Sequence, residues 1–319
     1  MAAGRGPGET GPTVRTVPLA HDGRFAPSPT GDLHLGNLRT ALLAWLFARA
    51  ARARFLMRVE DLDTGRVRAG IEARQLTDLR RLGLTWDGAV VRQSERTALY
   101  AQSLAQLEGD GLTYPCWCSR AEIRAAASAP HESDDGAEGR YPGTCHALSS
   151  SARRERERSG RPAAVRVRAG GARIAFTDRL AGPQTGVVDD FVVRRNDGAF
   201  AYNLAVAVDD ADQGVGEVVR GADLLSCTPR QLWLLERLGL RSPAYAHVPL
   251  LLGDDGQRLA KRNEGQTLSQ RMAAGDGVDA VRTELAASAG LVEAATQPVS
   301  LAALLDGFDP SRLTATPSR

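Results

Sequence analysis

Lys261 is the single lysine among the 40 Lys plus Arg residues of the chain. Every other basic position is arginine, so this one is a candidate for chemistry that a planar, forked guanidinium cannot perform. An ammonium is a compact point charge on a flexible stem, suited to a phosphate that shifts during reaction. A second candidate phosphate site lies near the start of the chain, in Arg24-Phe25-Ala26-Pro27-Ser28-Pro29-Thr30-Gly31-Asp32-Leu33-His34-Leu35-Gly36-Asn37. There a strand hands over, through a turn, to a helix N-terminus whose free amides and dipole favour anions. His34 and Asn37, three residues apart, project from one face, and Gly36 lets a base or ribose approach the backbone. Taken alone, a histidine at a helix start is more often a capping or packing residue than a functional one. A third constellation is Cys116-x-Cys118 followed by Tyr141-x-x-x-Cys145. Closely spaced thiolates across a loop suit tetrahedral zinc, and generic ligand chemistry offers His131 or His146 as the remaining donor. Cys227 stands apart and reads as a small buried residue.

The elements that must position these residues alternate in type. Arg24-Phe25-Ala26 reads as a short strand, and an Ala/Leu-rich amphipathic helix follows from about Asn37 to Arg52. Phe55 to Glu60 is an apolar run ending in acid, as in a buried parallel strand. Helical patterns run from about Val67 to Leu82 and from about Glu95 to Glu108. This alternation predicts an α/β fold, a Rossmann-type doubly wound parallel sheet. The rhythm breaks near Gly111, where a polar stretch with the low-complexity piece AAASAPHESDDGAEG reads as an inserted subdomain. Strand patterns follow at Ala164 to Arg168 and Ile174 to Asp178, then at Phe191-Val192-Val193 and Phe200-Ala201-Tyr202. Helices are expected over Asn203 to Val208 and Pro229 to Leu238, and a buried strand over His247 to Leu252. The division expected is a disordered lead-in over residues 1–22 and a catalytic domain in two halves, 23–111 and 191–265. A zinc-bearing insertion over 112–190 and a short helical tail over 266–319 complete it.

A net charge of only +2 means that affinity for a polyanion must come from local clusters. One such cluster is Arg153, Arg154, Arg156, Arg158, Arg161, Arg166 and Arg168, which could meet nucleic-acid phosphates or form a solvated face balanced by Glu155 and Glu157. Aromatic residues at 5% argue against an extended base-stacking platform. No apolar run reaches the roughly 18 residues that span a bilayer, and the Gly/Pro-rich start lacks a signal-peptide core. A cytoplasmic protein without membrane contact is expected, and no oligomerisation motif argues against a monomer.

The two phosphate-site motifs together resemble the paired signatures of class I aminoacyl-tRNA synthetases, here His34-Leu35-Gly36-Asn37 and Arg258-Leu259-Ala260-Lys261-Arg262. Phe25 to Gly31, Arg58 to Asp63 and Val219 to Leu225 are similar to blocks of the glutamyl and glutaminyl branch. The blocks extend over residues 23 to 265. Within the branch the chain most resembles the shortened glutamyl-queuosine tRNA(Asp) synthetases, because the stretch after Lys261 is too short for a large anticodon-binding domain.

That resemblance implies activation of L-glutamate with ATP and Mg²⁺, then transfer to queuosine in tRNA(Asp). It implies glutamate contacts from Arg24, Ala26, Ser28, Glu60, Tyr202 and Arg220. The chemistry agrees, since arginine forks bind carboxylates and Glu60 could hold the ammonium. His34, Gly36, Asn37 and Lys261 are implied to bind ATP, with His34, Asn37 and Lys261 catalytic; Lys261 would neutralise charge on the α-phosphate. A structural zinc, one per chain, is implied on Cys116, Cys118, Tyr141 and Cys145, the tyrosine replacing the histidine of generic chemistry. Arg258 and Ala260 depart from the usual lysine and serine, which weakens the second signature. The rival expectations are a truncated glutamyl-tRNA synthetase charging a tRNA 3′ end and a non-catalytic tRNA-binding paralogue.

Overall fold

A computed structural model describes residues 22–119, 121–123, 141–251, 267–293 and 297–313. The lead-in up to residue 21, most of the low-complexity piece with His131, and the second signature with Arg258, Ala260 and Lys261 lie outside the described residues.

The first half begins with β1 (Gly23–Phe25), α1 (Leu35–Ala50), β2 (Phe55–Val59), α2 (Ile71–Arg81), β3 (Val91–Arg92) and α3 (Thr97–Gly109). The three strands form a parallel sheet in the order β1-β2-β3, with Gly23 opposite Phe55 and Val59 opposite Arg92. Helix α1 starts at Leu35, ahead of the expected Asn37, because His34 caps it. It ends at Ala50, before the expected Arg52, because Arg52 adopts a left-handed conformation at φ 54°. Helix α2 starts at Ile71, later than the expected Val67, behind Gly70, which is left-handed at φ 77° where glycine carries no Cβ penalty.

Next come β4 (Thr113–Cys116), α4 (Ser150–Arg158), β5 (Ala164–Val167), β6 (Ala172–Asp178), β7 (Gly182–Val188) and β8 (Val192–Arg194). After them lie α5 (Tyr202–Asp212), β9 (Glu217–Gly221), α6 (Thr228–Arg237) and β10 (Ala244–Val248). Strands β4, β5 and β8 form a small antiparallel sheet. The other sheet runs β7-β6-β10-β9; β6, β10 and β9 are parallel, while β7 folds back antiparallel on β6. The expected purely parallel sheet is therefore mixed at this edge. Phe200 makes only an isolated bridge to Arg194, and Tyr202 opens α5 instead of ending a strand. Strand β10 stops at Val248, short of the expected Leu252, because Pro249 has no N–H for the ladder. The β1-β2-β3 sheet and the four-stranded sheet meet where the Asp22 carbonyl accepts hydrogen bonds from Gly216 N at 2.9 Å and Glu217 N at 3.3 Å.

Successive strand residues point to opposite faces, and this sorts the core. Phe25, Met57, Val219, Ala246 and Val248 pack against α1. Arg24, Arg58, Arg220 and His247 face the other way, toward side chains of α5 and α6. The amphipathic character expected of α1 is absent: Ala41 to Ala48 are buried without a break. The reason is that, after α7 (Leu268–Ala273), α8 (Val278–Ala287), α9 (Leu301–Asp306) and Phe308 supply a second cover that closes over its outer side. A helix covered all round needs no polar stripe.

Candidate functional site

A cleft of about 550 Å³ opens beside the α1 N-terminus, at the C-terminal ends of β1, β2 and β9. It brings together all the described residues expected to bind glutamate: Arg24, Ala26, Ser28, Glu60, Tyr202 and Arg220. His34, Gly36 and Asn37 line the same cleft. Ser28 is exposed and Tyr202 is 37% exposed, so both present themselves to an incoming molecule.

At the helix start, the backbone of His34 is extended, at φ −80° and ψ 164°. Its Nδ1 accepts from Asn37 N at 3.3 Å, and Asn37 Oδ1 accepts from His34 N at 3.4 Å. The pair forms a reciprocal capping box, so the capping role and a place in the cleft coexist. Gly36 is required beneath the ring, because a Cβ there would sit 3.0 Å from His34 Nδ1 and Cε1. Leu250 and Leu251 line the cleft, with Leu251 3.9 Å from a Cβ placed on Gly36, and Thr267 makes a β-bridge with His34. Both flanks of the stretch that carries Lys261 therefore lie beside the α1 N-terminus.

Under the cleft lies a buried charge network. Arg24 donates to Asp210 at 3.2 and 3.4 Å, and Arg58 donates to Asp210 and Gln213, each at 2.8 Å. Arg58 also reaches Glu60 at 3.4 Å and Asp209 at 3.6 Å. Asp209 accepts from Gln93, Arg96 and Tyr100. Burial pushes the Asp210 carboxyl up, but Arg24 and Arg58 outweigh it and hold it below the usual carboxylate range. For Glu60 the balance reverses, and burial raises it despite Arg58 and Arg24.

Arg220 differs from Arg24 and Arg58 in its company. It is 4% exposed, yet among the described residues its partners are His247 Nε2 at 3.0 Å, Gln231 Oε1 and Thr228 Oγ1 at 2.8 Å, and the Leu224 carbonyl at 3.3 Å. None of these is a carboxylate. Gly221 beside it lies so close to Asp223 that a Cβ would fall 2.5 Å from Asp223 Oδ1.

The cysteines converge separately. The sulfurs of Cys116, Cys118 and Cys145 lie within 4.8 Å of one another. The Tyr141 phenol is 3.4 Å from Cys116 Sγ and 3.7 Å from Cys118 Sγ, and it accepts the Cys145 N–H at 2.7 Å. Burial raises the Tyr141 phenol and pushes the Cys118 thiol up to about 12. Burial also acts on Cys145, but the Trp117 N–H and its neighbours lower it overall. Soft thiolates with one oxygen in a partly dry pocket fit zinc. His146 Nδ1 lies 3.0 Å from Asp190 Oδ2 instead of among the sulfurs, and His131 lies outside the described residues. The arginine run divides. Arg153, Arg154, Arg156 and Arg158 sit on the surface helix α4, whereas Arg166 is buried with Nε 3.3 Å from Cys116 Sγ and its guanidinium 3.7 Å above the Tyr141 ring. Cys227 is only half-buried, because it precedes α6 at the end of a surface turn.

Sequence reasoning missed Arg58, Asp210, Gln231, Thr228, His247 and Asp178. One signal was available for Asp210: Asp209-Asp210 directly follows the apolar run Leu204 to Val208 in the same helical stretch, where an unpaired carboxylate would be costly. His247 carries no such local mark.

Residues 22–296 match the model of a family described as tRNA synthetases class I (E and Q), catalytic domain. The chain is 56% identical over 304 residues to a Glutamyl-Q tRNA(Asp) synthetase of Nocardia farcinica, covering 95% of this chain and 94% of that protein. It is 49% identical over 309 residues to a protein of the same name from Symbiobacterium thermophilum, covering 93% and 95%. A crystal structure of a glutamate tRNA ligase from Elizabethkingia meningosepticum, in complex with its amino acid, superposes with a TM-score of 0.78 at 26% identity. That match covers 93% of this chain and 66% of the ligase. Among the described residues, no helix is long and apolar enough to cross a membrane. The chain belongs to the class I tRNA synthetases of the glutamyl and glutaminyl branch.

Proposed function

We propose that this enzyme activates L-glutamate with ATP and Mg²⁺ and transfers the glutamyl group to queuosine in tRNA(Asp). The observation that carries the choice of amino acid is Arg220, a buried guanidinium at the cleft wall surrounded by neutral partners. A buried cation without an acid favours an anionic ligand, and an arginine fork suits a carboxylate. Glu60 across the cleft supplies the complementary charge for an ammonium. Matching Glutamyl-Q tRNA(Asp) synthetases nearly end to end supports queuosine as the acceptor.

In the first step, a glutamate carboxylate oxygen attacks the α-phosphorus of ATP; the new O–P bond forms as the bond to pyrophosphate breaks. Arg24, Ala26, Ser28, Glu60, Tyr202 and Arg220 hold glutamate. His34, Gly36 and Asn37 place the triphosphate at the α1 N-terminus, where free amides favour it. Lys261, on the stretch between Leu251 and Thr267, neutralises charge developing at the α-phosphate. In the second step, a queuosine hydroxyl attacks the acyl carbon and AMP leaves. Residues 23–111 and 191–265 form the two halves of a Rossmann-type catalytic domain. The β6–β7 hairpin falls within the 112–190 stretch but joins the sheet of β9 and β10 through β10, and 266–319 is a helical tail. A structural zinc on Cys116, Cys118, Tyr141 and Cys145 stiffens the insertion.

The test offers radiolabelled glutamate and ATP with tRNA(Asp) containing or lacking queuosine. Label should enter only the queuosine-containing tRNA and should survive removal of its 3′-terminal adenosine. Equal labelling of both tRNAs overturns the acceptor, and absence of glutamate-dependent ATP–pyrophosphate exchange overturns catalysis.

A further inference from the structure

We propose that Asp178 and His247 are positioning residues for Arg220, acting by fixing one neutral tautomer of the His247 ring. Asp178 ends β6, His247 lies on β10 and Arg220 on β9, three neighbouring strands; His247 pairs directly with Arg220 in the parallel register. Asp178 Oδ2 lies 2.6 Å from His247 Nδ1, and both side chains are fully buried. The other oxygen, Oδ1, accepts from Leu180 N at 3.0 Å and Ala181 N at 2.8 Å. Asp178 therefore acts as an acceptor on both oxygens, and the proton between it and the ring resides on Nδ1.

On the far side of the ring, Arg220 Nε–H donates to His247 Nε2 at 3.0 Å. Guanidinium has no acceptor, so Nε2 keeps its lone pair and the imidazole is neutral. Thr228, Gln231 and the Leu224 carbonyl hold the remaining edges of Arg220. The ring does not line the cleft, whereas Arg220 does. Asp178 thus supports the arginine through an imidazole without pairing with it, so the guanidinium charge stays available to a ligand. Its orientation is set by acceptors on three sides, the preorganisation that a carboxylate-binding fork requires. This inference rests on the reading that Arg220 binds a carboxylate of glutamate.

Asp178→Asn is the diagnostic substitution. With its amide nitrogen toward His247, it donates to Nδ1, drives the ring proton to Nε2 and sets N–H against the N–H of Arg220. Flipped, the amide nitrogen faces the N–H groups of Leu180 and Ala181. Either orientation loses the arrangement, as tautomer control by a neighbouring carboxylate predicts. In glutamate-dependent ATP–pyrophosphate exchange, the KM for glutamate should rise about tenfold or more, the scale of a charge-assisted hydrogen bond. The KM for ATP should not move. Nitrogen-15 NMR of the wild-type His247 ring should report the Nδ1–H tautomer; an Nε2–H ring overturns the proposal.

Arg220→Ala separates the two layers of argument. An unchanged glutamate KM in that variant overturns the carboxylate reading itself. A raised KM there with an unchanged KM in Asp178→Asn overturns only the positioning role. Should Asp178→Asn not fold, His247→Gln and His247→Leu replace it, since glutamine keeps an acceptor for Arg220 and leucine does not. A lower glutamate KM for the glutamine variant supports the proposal, and equal values overturn it.

Discussion

Replacing Asp210 by asparagine should destabilise the protein and loosen the glutamate site together. The carboxylate accepts from Arg24 at 3.2 and 3.4 Å and from Arg58 at 2.8 Å, with the three side chains between 0% and 5% exposed. Removing one partner of a buried ion pair costs about 3–5 kcal/mol, because the remaining charge is uncompensated. The two arginines do not suffer equally. Arg58 retains Glu60 at 3.4 Å and Asp209 at 3.6 Å, whereas Asp210 is the carboxylate that Arg24 touches among the described residues. The loss should therefore fall near the lower end, about 3 kcal/mol, equivalent to a fall in melting temperature of roughly 4–5 °C for a chain of this size. Calorimetry measures it, and ATP–pyrophosphate exchange reads the accompanying rise in glutamate KM as Arg24 shifts. Adding Arg24→Met should recover part of the stability, since it removes the orphaned charge. A loss below about 1 kcal/mol in Asp210→Asn would refute the idea that this carboxylate neutralises the arginines under the cleft.

Three further outcomes are expected. Cys116→Ser should lower zinc content measured by metal analysis, while Arg166→Met should keep the metal but weaken its retention against a chelator by about 10- to 100-fold, the usual effect of an outer partner; equal retention would remove Arg166 from the site. Burial holds His247 below its ordinary 6.5 despite Asp178. The unfolded chain therefore gains the proton first, and stability should fall as pH drops below 6.5, by at most about 1.4 kcal/mol per pH unit for this group. Asp178, held below 3.8 by its hydrogen bonds from His247, Ala181 and Leu180 in spite of burial, adds stability above that pH that is lost on further acidification; His247→Gln should flatten the 6.5 limb in pH-dependent thermal melts. Lys261→Arg should slow ATP–pyrophosphate exchange on the order of 10²–10³-fold, and full activity would show that a forked cation serves as well.

The elements were legible wherever the pattern is local. The strand–helix alternation from β1 through α2 follows from side-chain periodicity, and the helix ends moved most where a cap or a left-handed residue intervened, at His34, Arg52 and Gly70; the two-residue β3 is too short to leave a pattern and was missed. The pattern failed for α1, whose Ala/Leu-rich stretch was read as amphipathic. Its second cover comes from α8 and α9, more than 220 residues later, and no local period records what will pack on an apolar face. The mixed edge of the larger sheet was hidden for a similar reason. A run such as Ile174 to Asp178 reads as a strand, while its neighbour on each side is a tertiary choice.

By itself, the sequence determined local turn chemistry and motif order. Turn chemistry and spacing brought His34, Gly36 and Asn37 into view, the family resemblance implied Arg24, Ala26, Ser28, Glu60, Tyr202 and Arg220, and the fold gathers all of them around one cleft. Only the tertiary structure decided how their charges are divided. Arg24 and Asp210 are 186 residues apart in the chain, and His247 and Asp178 are 69 apart. Pairing at those separations depends on which strands and helices lie side by side, a long-range outcome that neither composition nor periodicity encodes. That arrangement neutralises Arg24 with an acid and surrounds Arg220 with neutral acceptors. Two arginines that look alike in sequence thereby acquire different electrostatic roles.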